Sequence, residues 1–276
     1  MTNSADQEYS AVAGDARWQA IGKVDPRCLG QARWLALNIV QWPARIANSY
    51  VTGSTWPERT WMAWQPAADA IVTRSFDRAL SLRLDLRTLE LCFLEQGRRV
   101  PHAFDPEARS PAEAEAWILV ELLHQGIDRT RFSKALPYDI PDLLTGDAED
   151  YAPQSCAAEL TELAAWYHNA VLSFATAAKE MGMSDPHIEC SPQNLTMICR
   201  LGSDSKGPKR PAVELGFSPG RRARDEPYFY VTPESGAEEP RGVQAVMRSS
   251  TVAAAGAPQE SLSVFLRDAM SDVSQR

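Results

Sequence analysis

Gly216-Phe217-Ser218-Pro219-Gly220 has the G-x-S-x-G spacing of a nucleophile elbow, and an apolar, strand-like segment precedes it. An elbow uses the backbone N–H after its serine as an oxyanion donor, and Pro219 has none. The four histidines, His102, His124, His168 and His187, all lie upstream of Ser218, against the elbow's order of serine, acid, histidine. Ser218 is therefore expected in a β-turn and not as a nucleophile.

His187-Ile188-Glu189 would place an imidazole and a carboxylate on one face of a strand, and H-x-E is half of the zinc-deaminase signature. The other half, P-C-x-x-C, is missing. Cys190 and Cys199 are nine residues apart, and on an extended chain Cys190 faces away from His187 and Glu189. No metal site and no cofactor are expected. His168 falls at the border of a long helix's apolar stripe, where a half-buried histidine bonded to a loop is the expected outcome, because nothing nearby supplies an activated nucleophile.

The strongest local charge runs against the mean. From Arg200 to Arg224 there are seven basic residues against Asp204 and Glu214, a local +5 in a chain of net charge −8. Tyr228 and Tyr230 follow at alternate strand positions and share a face. Arg221, Arg222 and Arg224 are read as an anion-binding rim with Tyr228 and Tyr230, in which guanidinium groups hold a carboxylate or phosphate beside stacking rings. The competing reading is two solvated basic loops flanking a strand.

These residues need elements to hold them. The chain has 276 residues, 44% hydrophobic and 23% charged, the composition of an ordinary soluble globular protein. With 28 basic against 36 acidic residues, general nucleic-acid binding is disfavoured. No apolar run approaches the roughly 20 residues of a bilayer span, and residues 1–27 lack the pattern of a signal peptide, so a cytoplasmic protein without membrane attachment is expected. Five scattered cysteines, Cys28, Cys92, Cys156, Cys190 and Cys199, point to reduced thiols.

Residues 1–27 carry little periodicity and are read as a mobile or loosely docked arm; 28–276 reads as one domain, with two sub-domains divided near 140–155 as the alternative. Leu35, Ile39, Trp42, Ile46 and Tyr50 line one helical face, which Pro43 is expected to kink or restart. Alternating segments at 70–74, 81–86 and 89–94 predict an antiparallel meander with a turn at Gln96-Gly97. Ser110-Pro111 with Glu113 starts a helix ending near Gly126, and 136–150 is a proline-broken loop. Leu160, Leu163, Ala164, Tyr167, Val171, Phe174 and Ala178 form the clearest stripe, on a helix over about 156–181. Five β-like segments follow, at 187–190, 194–201, 212–217, 228–231 and 243–247. A last amphipathic helix carries Leu262, Phe265, Leu266, Ala269, Met270 and Val273. Helices and strands are partly segregated, so the fold class is α+β, antiparallel sheet packed with a long central helix and a C-terminal amphipathic helix.

The Ser218-Pro219-Gly220 turn, the strand Glu226-Pro227-Tyr228-Phe229-Tyr230-Val231 and the loop Leu136-Pro137-Tyr138-Asp139-Ile140-Pro141 resemble segments of a family of uncharacterised bacterial proteins. That family has an S-P-G-D turn, where this chain has Arg221 in the fourth place. It also has a W-P-x-H-F-D segment, to which Glu189-Cys190-Ser191-Pro192-Gln193-Asn194 corresponds here without the histidine and aspartate. The resemblance implies a fold grouping and no activity. The expected function is a non-catalytic binding module for a small anionic ligand or a protein partner. The alternative is an enzyme, hydrolytic or metal-dependent, with its site between the long helix and the C-terminal strands.

Overall fold

A computed structural model describes residues 17–53, 58–183, 186–202, 213–221, 225–233 and 245–274. Of the expected anion rim, Arg222 and Arg224 lie outside these residues.

The chain is α+β. Five α-helices are present among the described residues: α1 (Gly30–Tyr50), α2 (Pro111–His124), α3 (Ala157–Glu180), α4 (Ser249–Ala253) and α5 (Pro258–Ser274). Local chemistry fixes the start of α2: the Ser110 hydroxyl accepts from Glu113 N–H, the Glu113 carboxylate accepts from Ser110 N–H, and Pro111 occupies the first turn. Helix α1 runs continuously from Gly30 to Tyr50 with Pro43 inside it, so the helix does not restart at the proline. Burial of Ile39, Trp42, Ala44 and Ile46 on the core holds the turns on either side of the proline, and tertiary packing of this kind outweighs one lost backbone bond.

The strands are β1 (Met62–Gln65), β2 (Ala70–Val72), β3 (Leu80–Asp85), β4 (Leu91–Glu95), β5 (Arg98–Arg99), β6 (Ile188–Cys190), β7 (Met197–Leu201), β8 (Val213–Ser218), β9 (Tyr228–Pro233) and β10 (Ala245–Arg248). They form one antiparallel sheet in the order β10-β9-β8-β7-β6-β1-β2-β3-β4-β5. An early meander and a late meander are thus joined side by side through β1 and β6, where Met62 pairs with Cys190 and Ala63 with Glu189.

Strand alternation sorts the side chains. Met62, Trp64, Leu82, Leu84, Phe93, Met197, Leu215, Phe217, Phe229 and Val231 enter a single core shared with α1, α2, α3 and α5. The opposite face carries a small apolar group, Val72, Cys92 and Leu94, and a row of charged and aromatic side chains. Helix α3 is central: from Glu162 to Val171 every residue is buried, because the sheet, α1, α5 and the segment before α1 surround it. Its burial therefore extends well beyond the expected stripe. Residues 17–24 lie along this helix, with Trp18, Ile21 and Val24 packed on the core. No helix among the described residues is long and apolar enough to cross a membrane.

Candidate functional site

Helix α1 carries three buried polar residues on its way through the core, Arg33, Asn38 and Gln41, and together they hold three loops. Arg33 Nη1 donates to the carbonyls of Pro219 (2.7 Å) and Asp225 (3.0 Å), which pins the turn after β8. Gln41 Nε2 donates to Pro192 O (2.8 Å) while its Oε1 accepts from the Tyr138 hydroxyl (3.0 Å), so one amide ties together the β6–β7 turn and the 136–142 loop. Asn38 Oδ1 accepts from Leu144 N–H at 2.7 Å. From α3, the buried Tyr167 hydroxyl donates to Leu195 O and holds the far side of the β6–β7 turn.

Between these loops and the first turns of α1 lies a groove of about 880 Å³. That is a normal size for a small-molecule site, whose usual range is roughly 300–1,000 Å³. Trp34, Leu37, Ile140 and Leu195 give it apolar surface; Arg33 and Arg221 bring positive charge, Asp139 and Asp142 negative charge, and Gln31, Gln193 and Asn194 amides. Burial holds the Arg33 pKa below the ordinary guanidinium range, against the pull of Asp225. Among the described residues the lining contains no serine, cysteine or histidine, and its carboxylates are those of Asp139 and Asp142.

Of the expected rim residues that are described, Arg221 and the two tyrosines take different places. Arg221 lines the groove. Tyr228 and Tyr230 do not: their rings lie 6.2 Å apart on the sheet face opposite the core, since Phe229 and Val231 between and after them point inward. Tyr230 is buried, its ring lies across Gly216, and its hydroxyl donates to Glu214 Oε1 at 3.2 Å. Burial, reinforced by the Glu214 carboxylate, raises its pKa far above the ordinary phenol. Arg200, from the same basic stretch, turns to that outer face, stacked 4.5 Å over Trp61 and within ion-pair distance of Glu189 and Glu214.

The G-x-S-x-G pattern has a packing explanation. A Cβ at Gly216 would overlap the Tyr230 ring, and one at Gly220, whose φ is +91°, would fall 2.7 Å from Arg33 Nη1. Ser218 is buried between them as the last residue of β8, and not within a turn as expected; its Oγ accepts from Gly220 N–H at 3.3 Å.

No protein-family model, no curated protein and no solved structure matches the chain. Its function rests on its own geometry.

Two further polar centres lie apart from the groove. On the outer face Glu189 is buried, paired with Arg74 (2.7 Å) and His187 (3.0 Å). The Glu189 bond raises the His187 pKa, while burial of Glu189 is outweighed by His187 and Arg74, which hold its carboxyl below the usual range. Cys190 faces the core, as its strand position requires. Inside, His168 Nδ1 lies 2.8 Å from Asp69 Oδ1, and Asp69 also accepts from Arg87 Nε (2.8 Å) and Gln19 Nε2 (3.2 Å). The histidine is bonded to a loop, as expected, but is only 6% exposed, more deeply buried than its border position implies. Its Nε2 finds no partner among the described residues. Gln19 and Asn169 exchange two hydrogen bonds across this centre, so its geometry clamps residues 17–24 onto α3.

The positioning residues Arg33, Asn38 and Gln41 are absent from the sequence reading. Their signal was present: polar side chains at i, i+5 and i+8, interleaved with a strong apolar stripe, beside a helix that has little solvent-facing surface.

Proposed function

We propose that this chain is a binding protein whose groove takes a small ligand with an anionic group, an apolar face and hydroxyl or amino donors. The observation that carries this reading is the convergence of Arg33, Arg221 and Trp34 on one cavity, opposite Asp139 and Asp142. Guanidinium donors meet carboxylate or phosphate, the indole supplies a stacking or apolar surface, and the aspartates accept from the ligand's donors. Arginine and aspartate in one groove favour sugar phosphates and nucleotides over simple dicarboxylates, which have no donors for the carboxylates. A catalytic reading would rest on Asp139 and Asp142 alone, and both are exposed. The space between α3 and the C-terminal strands, where an enzyme site was the alternative, is filled by Phe174, Phe217 and Phe229.

Calorimetric titration with a panel of nucleotides, sugar phosphates and dicarboxylates tests the proposal. Saturable binding of one class is expected. In Arg221→Ala that binding should weaken by about 1.5–3 kcal/mol, the scale of hydrogen bonds to a charged group. Absence of binding across the panel, or an Arg221→Ala variant that binds a hit as tightly as wild type, would overturn it.

A further inference from the structure

At the C-terminal end of α2, well separated in the chain from the groove's segments, Glu121 and His124 stand one turn apart on the same helical face. His102, from the loop after β5, faces them. His124 Nδ1 lies 3.3 Å and His102 Nδ1 3.8 Å from Glu121 Oε1, and the ligand atoms of all three residues lie within 4.8 Å of one another. Glu121 is only 3% exposed, and among the described residues no lysine or arginine pairs with it. A buried carboxylate costs several kcal/mol unless a cation balances it, and here two imidazoles stand where that cation's other ligands would be.

We propose that His102, Glu121 and His124 bind a divalent transition-metal ion, zinc first, with a coordination position open to water. Two imidazole nitrogens and one carboxylate suit zinc, whereas magnesium and calcium prefer all-oxygen sets. Tetrahedral zinc, with bonds of about 2.0–2.1 Å, places its ligand atoms roughly 3.3 Å apart. The Glu121–His124 separation already has that value, and binding a metal would draw the exposed His102 side chain in from its 3.8 Å separation from Glu121. The last turn of a helix adds a favourable negative dipole end for a cation.

The fold prepares the site from beneath. His102 is held in the left-handed region, φ +70°, an uncommon conformation for a residue other than glycine. Its carbonyl accepts from Trp117 Nε1 at 2.7 Å, and the Trp117 ring packs against Phe93 and Phe104. The His102 backbone is thereby fixed to the helix that carries the other two ligands.

The test is zinc titration by calorimetry, after chelator treatment, on tag-free full-length protein in a Cys28→Ser background, which removes the one exposed thiol among the described cysteines. Cobalt(II) spectroscopy on the same protein is the second readout. One equivalent of zinc is expected, with visible cobalt bands of a low-coordinate site. His102→Asn and His124→Asn, both at exposed positions that spare the core, should each weaken zinc binding by at least about tenfold, no less than the loss of a group that merely orients a ligand. No saturable zinc binding, or a His102→Asn/His124→Asn double variant that keeps the full stoichiometry and affinity, would overturn the proposal. Neither result bears on ligand binding in the groove.

Discussion

Asp69 shows how a residue's environment shifts its own titration. Burial pushes its carboxyl upward, but bonds from His168, Arg87 and Gln19 together outweigh that and hold it below the usual carboxylate range. A carboxyl lowered in the folded state contributes stability that is fully present above its unfolded pKa of about 3.9 and is lost as pH falls through the folded value. Asp69→Asn should therefore lower Tm at neutral pH and flatten the fall of Tm with acid below about pH 4, as thermal melts over a pH series would show. An unchanged acid limb would remove Asp69 from that role. Ser218 gives the opposite kind of expectation. Buried at the end of β8 and followed by a proline, it should resist fluorophosphonate labelling, and Ser218→Ala should leave groove binding within a few-fold of wild type.

At the scale of elements, the helices were legible because their stripes are long and their ends are marked. The Ser110 capping box and the α3 stripe both appear where the sequence placed them. Phe174, fully buried against Phe229, is the test of that packing: Phe174→Ala should cost about 3–5 kcal/mol, read from denaturant unfolding. A loss under about 1 kcal/mol would mean the face is misassigned. Strands β1 and β5 were not legible, since Met62–Gln65 and Arg98–Arg99 are too short for alternation to register, and α4 spans only five residues in an alanine-rich stretch. Of the residues read as an anion rim, Arg221 and the two tyrosines come apart for a related reason, and Arg222 and Arg224 lie outside the described residues. Alternation correctly put Tyr228 and Tyr230 on one face, but sequence could not say that the turn carrying Arg221 is pulled by Arg33 toward α1, away from that face.

The whole molecule is a ten-stranded sheet made by joining two meanders at β1 and β6, with helices supplying one shared core. The groove forms where the proline-broken loop, the β6–β7 turn and the β8–β9 turn meet α1, three segments from distant parts of the chain. No local pattern could reveal such a meeting. Arg33, Asn38, Gln41 and Tyr167 hold these loops by hydrogen bonds, so on the proposed function the groove is preformed and binding should tighten loops without reorganising the sheet. Hydrogen exchange of backbone amides with and without the tightest ligand of the anion panel tests this most directly. Added protection is expected in 138–144, 191–196 and 219–221 together, with the strands of both meanders unchanged. Protection confined to Tyr228–Tyr230, or to residues 17–24 over His168, would contradict the groove as the binding site.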